Sequence, residues 1–293
     1  MEFRDFIQLL ITGISEGSIY ALLALGFTLI FKCTNVISFA QGEFAVLGSL
    51  LMITFSEFLR LPVAVSFIIT VIAVGGVGAL FELTTMRPLV RGSASILNII
   101  IATIGVSMVL KTVAKLFWGR EPIGLSSFGG DKPIEFLKAF VHPQSPWILS
   151  LSLVILAAMI IFLDYTRQGR ALKACAENAF AAKLMGISTQ HVVFYSVVLS
   201  AALGAASGIL IAPITFAQYD LGVIYTVKGF SAAVVGGIQN PLGAMVGGIL
   251  LGLLETFGVF FLSSGYKDVI TLGVLLFVLF LMPEGIFSSR EKR

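Results

Sequence analysis

Charge is scarce in this 293-residue chain: Asp, Glu, Lys and Arg make up 12% of it, against 57% hydrophobic residues. Soluble domains carry roughly 25% charged residues, so a soluble fold of this length would have too little polar surface to cover its core. Cysteine and histidine are equally sparse, with two of each. Cys33 and Cys175 cannot build a disulfide framework, and both fall near expected cytoplasmic segment ends, where thiols stay reduced. His142 and His191 stand far apart with no Cys/His cluster, which argues against zinc. The chain has no Gly-Lys dipeptide and therefore no Walker A loop to cradle phosphates. A net charge of +3 without a basic block gives no reason to expect nucleic acid. No cofactor is expected.

What is present is long, continuous apolar sequence. With lipid as solvent, backbone groups must be satisfied inside helices or a closed barrel. The runs do not alternate with period two, so helices are expected rather than a barrel. About twenty apolar residues span a bilayer. By that ruler the expectation is an all-α polytopic transmembrane bundle of about eight or nine segments. They are read near 7–31, 36–58, 62–86, 95–117, 147–164, 191–213, 223–239, 241–262 and 267–282. The first lacks a strongly basic leader and exceeds the ~7–15 residues of a signal-peptide core, so it reads as a retained helix. Segment 223–239, interrupted by Lys228 and ending in Gly236-Gly237, is expected to be partial or broken. Segment 36–58 opens with a polar stretch, Asn35 to Glu43, and is expected to start irregularly.

Two hydrophilic stretches orient the chain. Residues 118–146 balance Arg120, Lys132 and Lys138 against Glu121, Asp131 and Glu135, as an extracytoplasmic loop would. Residues 165–190 hold Arg167, Arg170, Lys173 and Lys183 against Glu177. That excess, with Arg87, Arg91, Arg290, Lys292 and Arg293, marks the cytoplasmic side and puts the C-terminus there. By the same count the N-terminus lies outside, with Arg4 and Arg60 pulling against it. Small residues recur at helical spacing, Gly13 with Gly17, Gly204 with Gly208, Gly243 with Gly247 and Gly248 with Gly252, as close helix packing in lipid requires.

The 165–190 loop is rich in Ala, Leu and Lys, so its helix propensity is high, and Gly186 stands where a helix would end. One or two short helices across the cytoplasmic face are expected. Ala181, Ala182, Leu184 and Met185 would form a small apolar knob, free to enter a groove on another protein or to rest on lipid. Ionisable residues inside expected spans cost on the order of 2.5–3.5 kcal/mol each at mid-bilayer. Glu16, Glu43, Glu82, Lys111, Lys228 and Glu255 are such residues. Glu82 and Lys111 read as structural. Asn35, Ser38, Gln41 and Glu43 form a polar set that either lines a path or gate or fixes helix packing. Lys228 and Glu255 fall on neighbouring segments and are expected to pair.

Ala181-Ala182-x-x-x-Gly186 resembles the Glu-Ala-Ala-x-x-x-Gly cytoplasmic-loop signature of ABC importer permeases, with Phe180 in place of Glu. The likeness extends over the chain to the branched-chain amino acid permease family, the LivH-like subunits. Gly17-Ser-Ile-Tyr-Ala-Leu-Leu-Ala-Leu-Gly26 is similar to the family's opening helix. Ser38-Phe-Ala-Gln-Gly-Glu-Phe44 resembles its Asn-Phe-Ala-His-Gly-Glu stretch, with Ser38 and Gln41 replacing Asn and His. Glu82 with Arg87-Pro-Leu and Arg91-Gly resembles a family loop in which Leu83 replaces an Arg. The run Gly229 to Gly237, then Gly243 to Gly248 with Glu255, and finally Pro283-Glu-Gly-Ile-Phe287 complete the resemblance.

The resemblance implies an importer in which a soluble extracytoplasmic binding protein delivers substrate. Two permease subunits, alike or different, form the path, and separate ABC ATPase subunits drive it. Arg170, Lys173, Ala181, Ala182, Leu184, Met185 and Gly186 would then couple to an ATPase, and the chain itself would not be an enzyme. It would sit in the cytoplasmic membrane of a bacterial-type cell. Branched-chain amino acids are the implied cargo, with urea, amides and other small organic solutes as alternatives within such permeases. A secondary transporter or channel working without ATPases is the competing reading; it predicts internal repeats, and none is evident in the sequence. An intramembrane enzyme would need a nucleophile with its base or a metal cluster, and no such arrangement stands out.

Overall fold

The computed structural model describes residues 3–92, 94–130, 133–136 and 139–287. Among these residues twelve α-helices dominate: α1 (Phe3–Thr34), α2 (Gln41–Ile53), α3 (Val63–Phe81), α4 (Arg87–Arg91), α5 (Ile96–Trp118), α6 (Ser145–Tyr165), α7 (Arg167–Glu177), α8 (Ala179–Leu184), α9 (Thr189–Thr215), α10 (Gly222–Gly236), α11 (Pro241–Phe261) and α12 (Lys267–Leu281). π-helical turns extend α2 through Thr54–Phe58 and join α3 to α4 through Glu82–Met86. Strands β1 (Ile134–Phe136) and β2 (Ala139–Val141) form a small antiparallel hairpin in the 118–146 stretch, an addition to the all-helical expectation. Asp131, Lys132 and Lys138 of that stretch, and Arg290, Lys292 and Arg293 at the C-terminus, lie outside the described residues.

Among the described residues seven helical stretches are long and apolar enough to cross a membrane, fewer than the eight or nine expected. The two that fall short begin or end at backbone breaks. The polar residues before Gln41 stay non-helical, so α2 has 13 α-helical residues, about 20 Å, and only the five-residue π-helical turn carries it on to Phe58. Residues 216–221 are likewise irregular, and Gly237 at φ +103° ends α10 after 15 residues, about 22 Å. Both are shorter than the roughly 30 Å of bilayer hydrocarbon.

α1 and α9 are the most enclosed spans, while α5 and α12 lie outermost. α5 turns Leu97, Ile101, Met108 and Phe117 outward, as a helix solvated by lipid does. Contacts sort the ends onto two faces. The Arg4 guanidinium lies 4.8 Å from the Phe140 ring centroid, Glu57 accepts from the Ser126 N–H, and Ala217 bridges to Ile123. The N-terminal end of α1, the far end of α2 and the end of α9 therefore share the face of the 118–146 stretch. On the other face, Lys32 lines a groove with Lys173, Glu177 and Asn240, and Asn240 donates to the Phe287 carbonyl.

The pair α1–α2 therefore has an inverted counterpart in α9–α10. α1 descends from one face and α9 ascends from the other; each ends at a positive-φ residue, Asn35 (+51°) and Phe216 (+62°), and passes through an irregular stretch into a short helix. The correspondence is one of direction and of matching breaks. It needs only a break at the right place and small residues at the crossings.

Those crossings bring backbones into contact. On α1 and α11, Gly17 lies against Ile249 and Gly248, and Gly252 lies against Gly17. α2 meets α9 at Gly208 against Ala45 and at Gly48 against Ala205. α10 meets α11 at Gly236 against Gly243. A side chain at Gly208 would overlap the Ala45 carbonyl, whereas Gly105 on the outer face of α5 has open space. Gly208→Leu is expected to lower the thermal midpoint in detergent strongly, with a loss at or above the about 1–3 kcal/mol of ordinary overpacking. Gly105→Ala is expected to leave the midpoint unchanged or slightly raised.

Candidate path junction and coupling surface

The first turns of α2 and α10 meet inside the bundle. Gly42 N–H donates to Thr226 Oγ1 at 3.1 Å, and the Thr226 hydroxyl lies 3.4 Å from the Phe39 carbonyl. Phe39 N–H donates to Thr103 Oγ1 of α5. Gln41 is fully buried; its Nε2 donates to the Ser200 carbonyl at 3.0 Å, and the Ser200 hydroxyl lies 2.6 Å from its Oε1 and 2.8 Å from the Gly26 carbonyl. One side chain thus ties α2 to α9 beside α1. Glu43 is 3% exposed and its Oε2 has no hydrogen-bond partner among the described residues. Its carboxylate fills the space that Gly222 leaves empty at the first turn of α10. A carboxyl oxygen placed there faces the positive end of α10 and stands in the first turn of its own helix. Ser38 is buried and its hydroxyl has no hydrogen-bond partner among the described residues, while Asn35 is exposed at the rim of the junction and takes no part in its hydrogen bonds.

A second polar cluster joins α1, α10, α11 and α12. Lys228 and Glu255 form an ion pair, both enclosed by the bundle. Lys228 Nζ donates to Tyr20 Oη at 3.2 Å and lies 3.5 Å from Asp268 Oδ1. Lys267 pairs with Glu16 at 2.7 Å and lies 3.9 Å from Glu255. The structure thus sets Lys228 and Glu255 within a network of five charges, of which sequence reasoning singled out two as a pair. Glu82 pairs with Arg87 at 3.1 Å, and the Lys111 ammonium stands 5.7 Å from the Tyr219 ring centroid.

The 165–190 stretch folds as α7 and α8. Thr166 caps α7 by accepting from Gly169 N–H, and Gly169 packs so closely on the Phe162 carbonyl that a side chain would not fit. Lys173 pairs with Asp164 of α6, so α7 is braced on the end of a span, while Arg170 stays exposed. Burial pushes the Cys175 thiol above its usual pKa. Asn178 caps α8 by accepting from Ala181 N–H, and Gly186 at φ +83° closes it, with Gly186 N–H donating to Lys183 and Ile187 N–H to Ala182. Leu184 and Met185 are 74% and 83% exposed, and Ala181 is exposed beside them. Ala182 is a correction: it is 5% exposed and belongs to the core, because the face of α8 that carries it turns toward the bundle. Phe180, 73% exposed, occupies the outward surface instead.

Residues 9–279 match the family described as branched-chain amino acid transport system / permease component. The chain belongs to this permease family. It is 34% identical to the high-affinity branched-chain amino acid transport system permease protein LivH of Salmonella typhimurium, over 99% of this chain and 98% of that protein. It is 31% identical to the permease protein BraD of Pseudomonas aeruginosa, over the same shares of each. Among solved structures, PsaBC from Streptococcus pneumoniae in complex with Fab aligns with a TM-score of 0.52 and 16% identity, covering 97% of this chain and 94% of that one, which supports the fold. The chain is a multi-pass membrane protein and a permease component of a transport system.

Sequence reasoning did not single out Ser200, Thr226 and Thr103. Hydroxyl residues are frequent in spans, and only the crossing of the helices distinguishes these three. Tyr20, Lys267 and Asp268 escaped because they sit at helix positions that carry no local pattern. Phe180 was noticed only as a departure from the family signature. For the buried pair, Glu255→Gln alone is expected to cost up to about 3 kcal/mol, because Lys228 keeps only the exposed Asp268 at 3.5 Å, whereas Lys228→Met with Glu255→Leu recovers most of the loss. Thermal unfolding of the two variants in the same detergent checks this.

Proposed function

We propose that this permease forms the translocation path of an importer for branched-chain amino acids and that a separate ATPase drives it by docking on α8. The exposed apolar surface of Phe180, Leu184 and Met185 carries this reading. It projects from a short helix capped at both ends, on the face that also bears Arg170 and Lys183. The names of the relatives support the cargo, and branched-chain side chains suit a path built from apolar spans. On this reading the 118–146 stretch faces outward to a soluble binding protein. α7, α8 and the C-terminus face the cytoplasm of a bacterial-type cell, and a second permease subunit, identical or different, completes the path. ATP hydrolysis belongs to the docked chain.

Within the permease, the junction of α2 and α10 is the proposed gate, with Ser38, Gln41 and Glu43 as its polar groups and Asn35 at its rim. Two short helices that abut by their first turns can separate without unfolding any long span. Broken helices of this kind line substrate sites in other transporters.

Two experiments test these proposals. Leu184→Glu with Met185→Glu, both outward-facing, is expected to abolish co-purification of the ATPase and to reduce uptake at least about tenfold, with the thermal midpoint unchanged. Intact association and uptake would refute docking at α8. Glu43→Gln, at normal protein levels in the membrane, is expected to slow uptake by about tenfold, or roughly 1.4 kcal/mol. Uptake at the unaltered rate would leave Glu43 with a packing role alone.

A further inference from the structure

α1 packs against both α6 and α11 and forms the floor of a groove of about 280 Å³ between them. Leu25, Met159, Leu163 and Met245 make that floor apolar. At the end nearest α7 the lining turns polar, with Lys32 of α1, Asp164 of α6, and Lys173 and Glu177 of α7. Asp164 and Lys173 pair with each other. Neither Lys32 nor Glu177 has an ion pair among the described residues. Lys32 and Glu177 attract each other across the groove without forming a direct ion pair, so the groove presents one cation and one anion above an apolar floor.

The flanking helices indicate what reaches it. α6 exposes Leu153, Val154 and Ile161, and α11 exposes Leu242 and Val246. Apolar side chains facing outward on both walls open the groove sideways to the surroundings that solvate the spans, which for a membrane protein is hydrocarbon. Its polar end lies where the spans meet the α7 helix, at the level of lipid headgroups. Grooves of this form, charged at the interface and apolar below, take phospholipids.

We propose that this groove holds one phospholipid with a phosphoethanolamine headgroup: an acyl chain on the apolar floor, the phosphate on Lys32 and the ammonium on Glu177. An anionic headgroup without an amine would leave Glu177 facing like charge. A choline headgroup has no N–H to donate to that carboxylate. Because Glu177 belongs to α7 and Lys32 to α1, the lipid bridges the helix ahead of α8 to the span that leads into the α1–α2 break. The inference goes beyond the transport reading and does not depend on the cargo.

The test uses the full-length permease in bilayer nanodiscs of phosphatidylcholine with equal minor fractions of phosphatidylethanolamine and phosphatidylglycerol, released into native mass spectrometry. The unaltered chain is expected to retain phosphatidylethanolamine about tenfold over either other lipid. Lys32→Gln and Glu177→Gln should each remove that preference. Met245→Trp, which fills the floor, should release all three lipids, and Met245→Phe serves if the larger residue prevents folding. Retention of no lipid, equal retention of the three, or an undiminished preference in the charge variants overturns the proposal. Displacement of phosphatidylethanolamine by free leucine also overturns it, since the groove would then be a site for a soluble zwitterion. Lipid retention is read without transport or ATPase, so this result and that for α8 docking are independent.

Discussion

Backbone contact at glycine crossings holds this bundle together. In lipid, apolar surface has no reason to leave its solvent, so helices associate through van der Waals contact and hydrogen bonds. Here α1 meets α11, α2 meets α9, and α10 meets α11 at places where a single added carbon would collide with backbone. The enclosed position of α1 and α9 follows from those contacts. So does the position of the polar junction, because only helices this close can share Gln41, Ser200 and Gly26 in one hydrogen-bonded set.

The inverted pairing of α1–α2 with α9–α10 gives the short helices their meaning. A span of full length must end at the membrane surface, where water satisfies its terminal groups. α2 and α10 instead begin inside the protein, and their free N–H groups need internal acceptors. Thr226 serves Gly42, and the Glu43 carboxylate occupies the first turn of α10. Irregular backbone at this depth is tolerated because it is enclosed by protein. On the proposed reading, the same enclosure that satisfies the junction also makes it a movable one.

Much of this architecture was legible in the chain. Nine apolar segments were read, and a helix stands at each of them, because long runs free of charge have only one stable form in lipid. The irregular start near Asn35 and the weakness around Gly236-Gly237 were visible as clusters of polar residues and glycine. The number of true spans was not, because 36–58 and 223–239 are apolar enough to pass a hydropathy ruler while their helices start late or stop early. The inverted repeat was hidden for a different reason: it resides in direction and crossing geometry, which different residues satisfy equally well. At the loop, composition located α7 and α8, but one-residue facing decides exposure on a six-residue helix, and that placed Ala182 inside and Phe180 outside.

The cap at Thr166 and the crowding at Gly169 have a mechanical consequence. A flexible tether between a span and a docking helix would absorb displacement by rotating its own bonds. Here the turn from α6 into α7 has little freedom, since the Thr166 side chain, the Phe162 carbonyl and the Asp164–Lys173 pair leave it a narrow range of angles. On the proposed reading, α7 would act as a stiff lever on α6. Displacement that reaches α7 from the docking helix beyond Asn178 would then pass to α6 rather than be absorbed at this corner.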